Sequence, residues 1–249
     1  MSTYLELVQE LVTELGIGGA NQGATVPDSV LNQTGQLWNA VNWVKQANNN
    51  INVMWADWQY LAAEYSEVLL VGDTTAPAHS GTETVKKWDR GSFWIDKTLT
   101  SAGQLSFFLW EDFRRHVLPG PAASNSKPSG ITQKRDNSLL LNVGPDAAYT
   151  LTAEFYKRPD LLTNDDDEPE MPEEFHRIIV CEAAVKYGNK EAAAEIISGM
   201  EAEYAYILDK LQTDQLIGAE YDAQYSQDLP LVVDVPGFDE PEIGGRWRP

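Results

Sequence analysis

The residues of this chain whose chemistry can go beyond packing are few: three histidines, one cysteine and a run of four carboxylates. His79, His116 and His176 are too far apart in sequence to share a helix as metal ligands, and HExxH, paired CxxC and EF-hand patterns do not occur. Cys181 lies in the apolar run IIVCEAAV, which predicts a buried, inert thiol. His176, the nearest base, is five residues earlier and so about 140° around a helix, out of reach as its partner. The run Asp165, Asp166, Asp167, Glu168 lacks the alternating ligands and central glycine of a calcium loop. It reads as a solvated linker whose charges favour the start of the helix that follows. GIGGANQG follows a helix instead of a strand and has no Lys-Ser/Thr, which removes the nucleotide-loop reading, and GxSxG is missing. No catalytic residue, metal or cofactor is assigned.

The carboxylates, 38 Asp+Glu against 18 Lys+Arg for a net charge of -20, instead set the field of the whole molecule. Such a field repels phosphate backbones and argues against a reader of nucleic-acid sequence. Eight tryptophans admit carbohydrate stacking and, with so many carboxylates, a cell-wall-degrading glycosidase. Trp38 and Trp43 fall in a helical pattern, however, and Trp88, Trp94 and Trp110 in strand-like runs, so anchoring of a core or a subunit interface is the better account. The tail carries LPLVVDVPGF and GGRWRP, whose apolar, Arg and Trp residues make Leu229, Leu231, Val232, Val233, Phe238, Arg246, Trp247 and Arg248 the candidate partner-binding set.

Periodicity supplies the elements that must hold these residues. STYLELVQELVTELG predicts a first helix, with Thr3 and Glu6 at capping-box spacing and Gly16 after its end. GIGGANQGATVPDSVLNQTG is a surface connector. A second helix starts near Gly35 with Leu37, Val41, Val44 and Ile51 inside, and Asn48, Asn49 and Asn50 weaken its end. From about residue 64 to 160 β-branched and aromatic runs predict strands: EVLLVG, WDRGSFWIDKTLT, LSFFLWEDF, and a hairpin of LLLNV and YTLTAEFY about Gly144, Pro145 and Asp146. In the last strand Tyr149, Leu151, Ala153 and Phe155 share one face. The stretch 119–137 is too poor in apolar groups to pack inside and is expected to be mobile or held by a partner. Helices return at Pro172, with Gly188 as a stop, and continue through Ile196, Ile197, Met200, Tyr204, Ile207, Leu208 and Leu211.

The fold class expected is therefore α+β: an α-helical bundle of residues 1–63 and 168–216, an inserted antiparallel β domain at 64–167, and an extended C-terminal tail at 217–249. The start MSTYLELVQEL has no basic or apolar leader pattern, and no segment approaches the roughly 18 apolar residues of a membrane helix, so cytosolic synthesis and no membrane partner are expected.

TYLELVQELVTELGI, QTGQLWNAVNWVKQANNNI with WADWQYL, LLLNVGPDAAYTLTAEFYKRPDLLTNDDDEPEMPEEFHRIIVCEAAVKYGN and EAEYAYILDKL together resemble the head-to-tail adaptor (connector) proteins of tailed bacteriophages, especially short-tailed ones. The likeness spans residues 3–61 and 139–211. It implies a structural virion protein and no enzyme. Twelve copies would form a ring beneath the portal protein, extend the DNA channel and attach the tail. The implied partners are portal protein, neighbouring adaptor subunits, tail nozzle or tail fibre proteins, and DNA that passes without sequence-specific binding. A hydrated acidic hinge at 165–168 would join the hairpin to the helix pair. A carbohydrate-binding or cell-wall-degrading virion component, and a tail completion or stopper protein, are the alternatives.

Overall fold

The computed structural model describes residues 2–17, 26–80, 83–96, 103–118, 124–191 and 193–216. The tail 217–249, with all eight candidate partner-binding residues, lies outside them. The described architecture is α+β.

Helix α1 (Tyr4–Leu15) begins and ends on the sequence signals. Glu6 N–H donates to Thr3 Oγ1 at 3.3 Å, Thr3 N–H donates to Glu6 Oε2 at 2.9 Å, and Gly16 takes a left-handed φ of 63°. The acidic run serves this helix start, where a hinge was expected. Tyr4 N–H donates to the Asp167 carbonyl at 2.7 Å and Leu5 N–H to the Asp165 carbonyl at 3.2 Å, filling first-turn donors that a helix leaves open. Asp165 Oδ1 accepts from Val30 N–H at 2.6 Å and Ser29 Oγ at 3.1 Å. Asp167 Oδ2 accepts from the amides of Thr163 and Asn164 at 2.6 and 2.8 Å. Buried Leu162 and Met171 pin the segment to the helical core at both ends. It is a clasp, because its carboxylates find backbone donors closer at hand than water.

Helix α2 (Gly35–Met54) buries Val41, Val44 and Ile51. The asparagines do not end it early. Asn48 and Asn52 are buried, Asn52 Nδ2 donates to Asn48 Oδ1 at 3.4 Å, Tyr60 Oη donates to Asn52 Oδ1 at 2.9 Å, and Asn50 Nδ2 donates to Glu182 Oε1 at 2.7 Å, so these side chains bond to one another and to other elements and leave the helix ladder intact. Its end is capped from the sheet, where Lys86 Nζ donates to the carbonyls of Asn52 at 3.0 Å and Trp55 at 3.1 Å.

The strands form two sheets. In the first, β10 (Tyr149–Lys157) pairs antiparallel with β1 (Ala62–Leu69) along its length, and on its other side with β4 (Glu83–Trp88) and β5 (Trp94–Ile95). β3 (His79–Ser80) and β6 (Gly103–Gln104) extend it. The second runs β2 (Thr75–Ala76), β9 (Leu139–Leu141), β8 (Gly130–Gln133), β7 (Ser106–Phe108). Leu151, Ala153 and Phe155 point into a β core around Trp88, separate from the helical core, and Tyr149 is half-buried at its margin.

Three expectations are corrected here. β9 and β10 are no hairpin: they belong to different sheets, and the chain turns a corner at Gly144, where a Cβ would sit 3.1 Å from Gly72 Cα. LSFFLWEDF is only half strand, since Trp110–His116 form helix α3, and this crossover lets β7 and β8 pair in parallel in a region expected to be wholly antiparallel. Residues 130–133 of the stretch expected outside form β8, buried between β7 and β9, because Ile131 and Thr132 complete a sheet that the apolar count of the stretch could not reveal.

A 3₁₀ turn (Glu173–Phe175) leads into helix α4 (Arg177–Glu191), and helix α5 (Ala194–Gln215) packs back on it. Gly188 does not stop α4. It lies inside the helix, and a Cβ there would stand 2.7 Å from Ile197 Cγ1, so the glycine sets how closely α5 approaches.

Gly188→Ala is therefore expected to cost about 1–3 kcal/mol by overpacking. In urea unfolding, G188A/I197A should be less destabilised than the sum of its single variants; simple additivity would show that the two residues do not press on each other. Asp167 supplies a second test. Its carboxyl is lowered to about 2, first by the Asn164 amide it accepts from. A depressed carboxylate stabilises above its unfolded value, about 3.9, and that stability is lost as pH falls through about 2. Asp167→Ala should thus narrow the gap to the parent as pH falls from 5 to 2, read by melting temperature.

Candidate functional site

α5 is twenty-two residues long, yet Leu211 alone is fully buried. Met200, Tyr204, Ile207 and Leu208 form the stripe that meets the helical core, each only partly covered. Against α4 and the last turn of α2, α5 bounds a groove of 440 Å³. Val53, Met54, Val185 and Tyr204 give it an apolar wall, and Asn50, Glu182 and Glu201 a polar rim. Val53 is 55% exposed, and Met54 and Trp55 are each 45% exposed, a run of large apolar residues facing water at the end of a helix. Tyr204 Oη reaches Met54 Sδ at 3.7 Å across the groove.

Glu182 makes the groove chemically specific. Its Oε1 accepts from Asn50 Nδ2 at 2.7 Å and Lys186 Nζ at 2.6 Å. Its Oε2 is buried and has no hydrogen-bond partner among the described residues. A carboxylate oxygen withdrawn from water without a donor is costly, so Glu182 is held by the two donors on its Oε1.

Arg177 fixes the helices around it. From α4, Nη1 donates to Glu10 Oε1 at 2.7 Å and Glu14 Oε2 at 2.6 Å on α1, Nη2 to Glu14 Oε1 at 2.7 Å, and Nε to Glu203 Oε1 at 3.0 Å on α5. The hydrogen bond to Glu14, then that to Glu203, raises the pKa of its guanidinium. Arg177 in turn holds the Glu203 carboxyl below the usual carboxylate range. Beside it, burial pushes the Cys181 thiol up to about 12, so the thiolate needed for nucleophilic attack is scarce at neutral pH.

The charge is unevenly shared. Residues 1–61 and 162–216 hold five Lys+Arg against nineteen Asp+Glu, a net of -14; residues 62–161 hold eleven against twelve, a net of -1; and 217–249 hold two against seven, a net of -5. The helical part carries nearly all the field.

Of the tryptophans proposed as anchors, Trp88 lies in the β core and Trp43 packs edge-on to Tyr187 at 5.8 Å, while Trp38 is 55% exposed. Trp58, in the WADWQYL run, is buried in the helical core. His176 is buried, with Nε2 at 3.0 Å from the Met171 carbonyl. Among the described residues no three His, Cys, Asp or Glu side chains converge as a metal site, and no described helix is long and apolar enough to cross a membrane. The groove residues were not singled out from the sequence. The signal was there: Val53, Met54 and Trp55 continue α2 past the inner stripe of Leu37, Val41, Val44 and Ile51 with nothing assigned to cover them.

A family model described as SU10 adaptor protein matches residues 2–229, thus taking in both cores, the groove and the start of the tail. The chain belongs to the SU10 adaptor protein family. That is a family of phage head-to-tail adaptors, which makes the chain a structural phage protein. The match also covers 62–138, a stretch outside the likeness read from sequence words. Comparison with curated proteins found no match. The groove lies beside α5, which Arg177 ties to α1 and α4 in one rigid platform.

Arg177→Met tests that rigidity. Removing the one cation among three partly exposed carboxylates should cost about 1–3 kcal/mol at pH 7. Glu203 has a depressed folded pKa, so the stability it contributes is present above its unfolded value of about 4.3 and lost as pH falls through the folded one. The difference between R177M and the parent should therefore shrink in urea titrations below about pH 4; an unchanged difference would show that Arg177 acts through packing alone.

Proposed function

We propose that the chain assembles as a ring of twelve copies beneath the portal protein, lengthens the DNA channel and presents the attachment site for tail nozzle or tail fibre proteins. The observation that carries this reading is α5, a long helix with one fully buried residue, beside a groove whose exposed apolar wall suits a protein partner. The head-tail interface of the virion is the place such a subunit serves. The helical part, 1–63 and 168–216, would form the platform, the inserted β part, 64–167, a second module, and the tail 217–249 an arm. In that arm Leu229, Leu231, Val232, Val233 and Phe238 would bury apolar area on a partner, with Arg246, Trp247 and Arg248 as its anchors. The net charge of -20 suits a conduit along which DNA slides without adhering.

Electron microscopy of the protein mixed with portal rings is the test. A ring of extra density continuous with the portal channel is expected, and portal rings that stay bare would overturn the reading. A stopper or tail completion protein would leave the portal bare and bind an adaptor-bearing ring instead. Deletion of residues 220–249 should leave the fold, read by circular dichroism, largely intact but weaken assembly; normal ring formation by the truncated chain would remove the arm's role.

A further inference from the structure

Helix α3 forms a second unpartnered corner, on the β part. Phe113 is its one fully buried residue, and it packs at 6.2 Å against Phe108. Around this anchor Leu109 is 54% and Leu118 50% exposed, and Arg114 and Arg115 both face water. Glu111 serves two arginines weakly, Arg114 at 3.0 Å and Arg135 at 4.0 Å, in pairs open to solvent. Arg115 has no ion pair among the described residues. The corner thus offers apolar bodies with spare cationic donors.

The groove on the helical part asks for that chemistry. Val53, Met54, Val185 and Tyr204 take apolar bodies, and Glu201 stands exposed on the rim to meet a cation. Charge complementarity names the occupant: Arg114 and Arg115, exposed on the α3 corner, meet a helical part of net charge -14 when the corner of one copy docks on the groove of another. We infer that the α3 corner of one copy docks in the α2–α4–α5 groove of the next. A nucleic-acid partner for the corner is disfavoured by Glu111 and Asp112, which share the helix with the arginines, and by the exposed leucines, which phosphates do not cover.

The two surfaces differ, so the contact is heterologous. Repeating it generates a ring when the rotation closes, the form of assembly that the proposed function requires and on which this inference rests. Part of the attraction is between exposed charges, and raised salt weakens it.

Charge exchange in the full-length protein tests this contact. The groove variant V53K/E201K sets lysines against the arginine corner, and the corner variant R114E/R115E sets glutamates against the acidic rim. All four substitutions lie at exposed positions, and melting curves check the fold; should V53K/E201K unfold, E201K alone replaces it. Assembly is read by mass, alone at rising concentration and on portal rings. Each variant by itself should assemble at least tenfold more weakly than the parent. Their equimolar mixture should recover assembly with the two chains alternating, because native corner then meets native groove and reversed corner meets reversed groove. Variants that assemble like the parent, or a mixture that recovers nothing, overturn the contact and leave the ring standing. A corner variant that assembles normally but loses retention on duplex DNA overturns it in favour of a phosphate partner. A parent that assembles neither alone nor on portal rings overturns both the contact and the ring.

Discussion

Arg177 is the charge on which the helical platform turns. α5 meets the helical core through buried Leu211 and the half-buried Met200, Tyr204, Ile207 and Leu208, and its place is fixed by the close approach that Gly188 permits to Ile197 and by the guanidinium that ties Glu203 to Glu10 and Glu14. Without that cation three carboxylates from two helices would face each other. With it, α1, α4 and α5 are held in one arrangement, and the groove beside α5 keeps its shape. The exposed apolar wall of the groove costs free energy in the isolated chain, and the arginine network offsets part of that cost.

The same economy of charge links the helices to the sheets. Lys86 caps the end of α2, Lys87 pairs with Asp57 at 2.8 Å, and Lys157 joins Glu83 at 3.5 Å to Glu170 at 2.8 Å. Hydrogen bonding to Glu170 raises the Lys157 pKa, and burial lowers that of Lys86. In a chain with more than twice as many acids as bases, several of the few lysines sit where elements of different type meet. What remains exposed on the helical part is overwhelmingly negative, a field that discourages DNA and draws cationic protein surfaces.

Local chemistry was legible in the sequence and long-range partnership was not. The capping box of Thr3 and Glu6, the Gly16 terminus, the inner faces of α2 and β10, and the buried state of Cys181 follow from spacing alone, because each depends on neighbours within a turn or on one face of a strand. The α+β class and the family resemblance follow too. The false hairpin arose because Gly144 and Pro145 look alike in a tight turn and in a corner between two sheets, and only the close approach of Gly72 distinguishes them. Gly188 looked like a stop because a glycine that ends a helix and one that admits a neighbouring helix are the same letter. The acidic run looked solvated because the backbone donors of Val30, Tyr4 and Leu5 that meet it come from more than a hundred residues away. The groove needed α2 to meet the α4–α5 pair, far from it in sequence, before its lining existed at all.

The adaptor family is a structural one, and particles report a structural effect most directly. Genome-filled heads assembled with and without this chain, then offered tails and scored for retained DNA and joined tails, measure that effect. The account predicts that heads lacking the chain leak DNA and fail to take up tails, and that adding the purified protein restores both. Heads that hold their genome and join tails equally well without it would contradict the account.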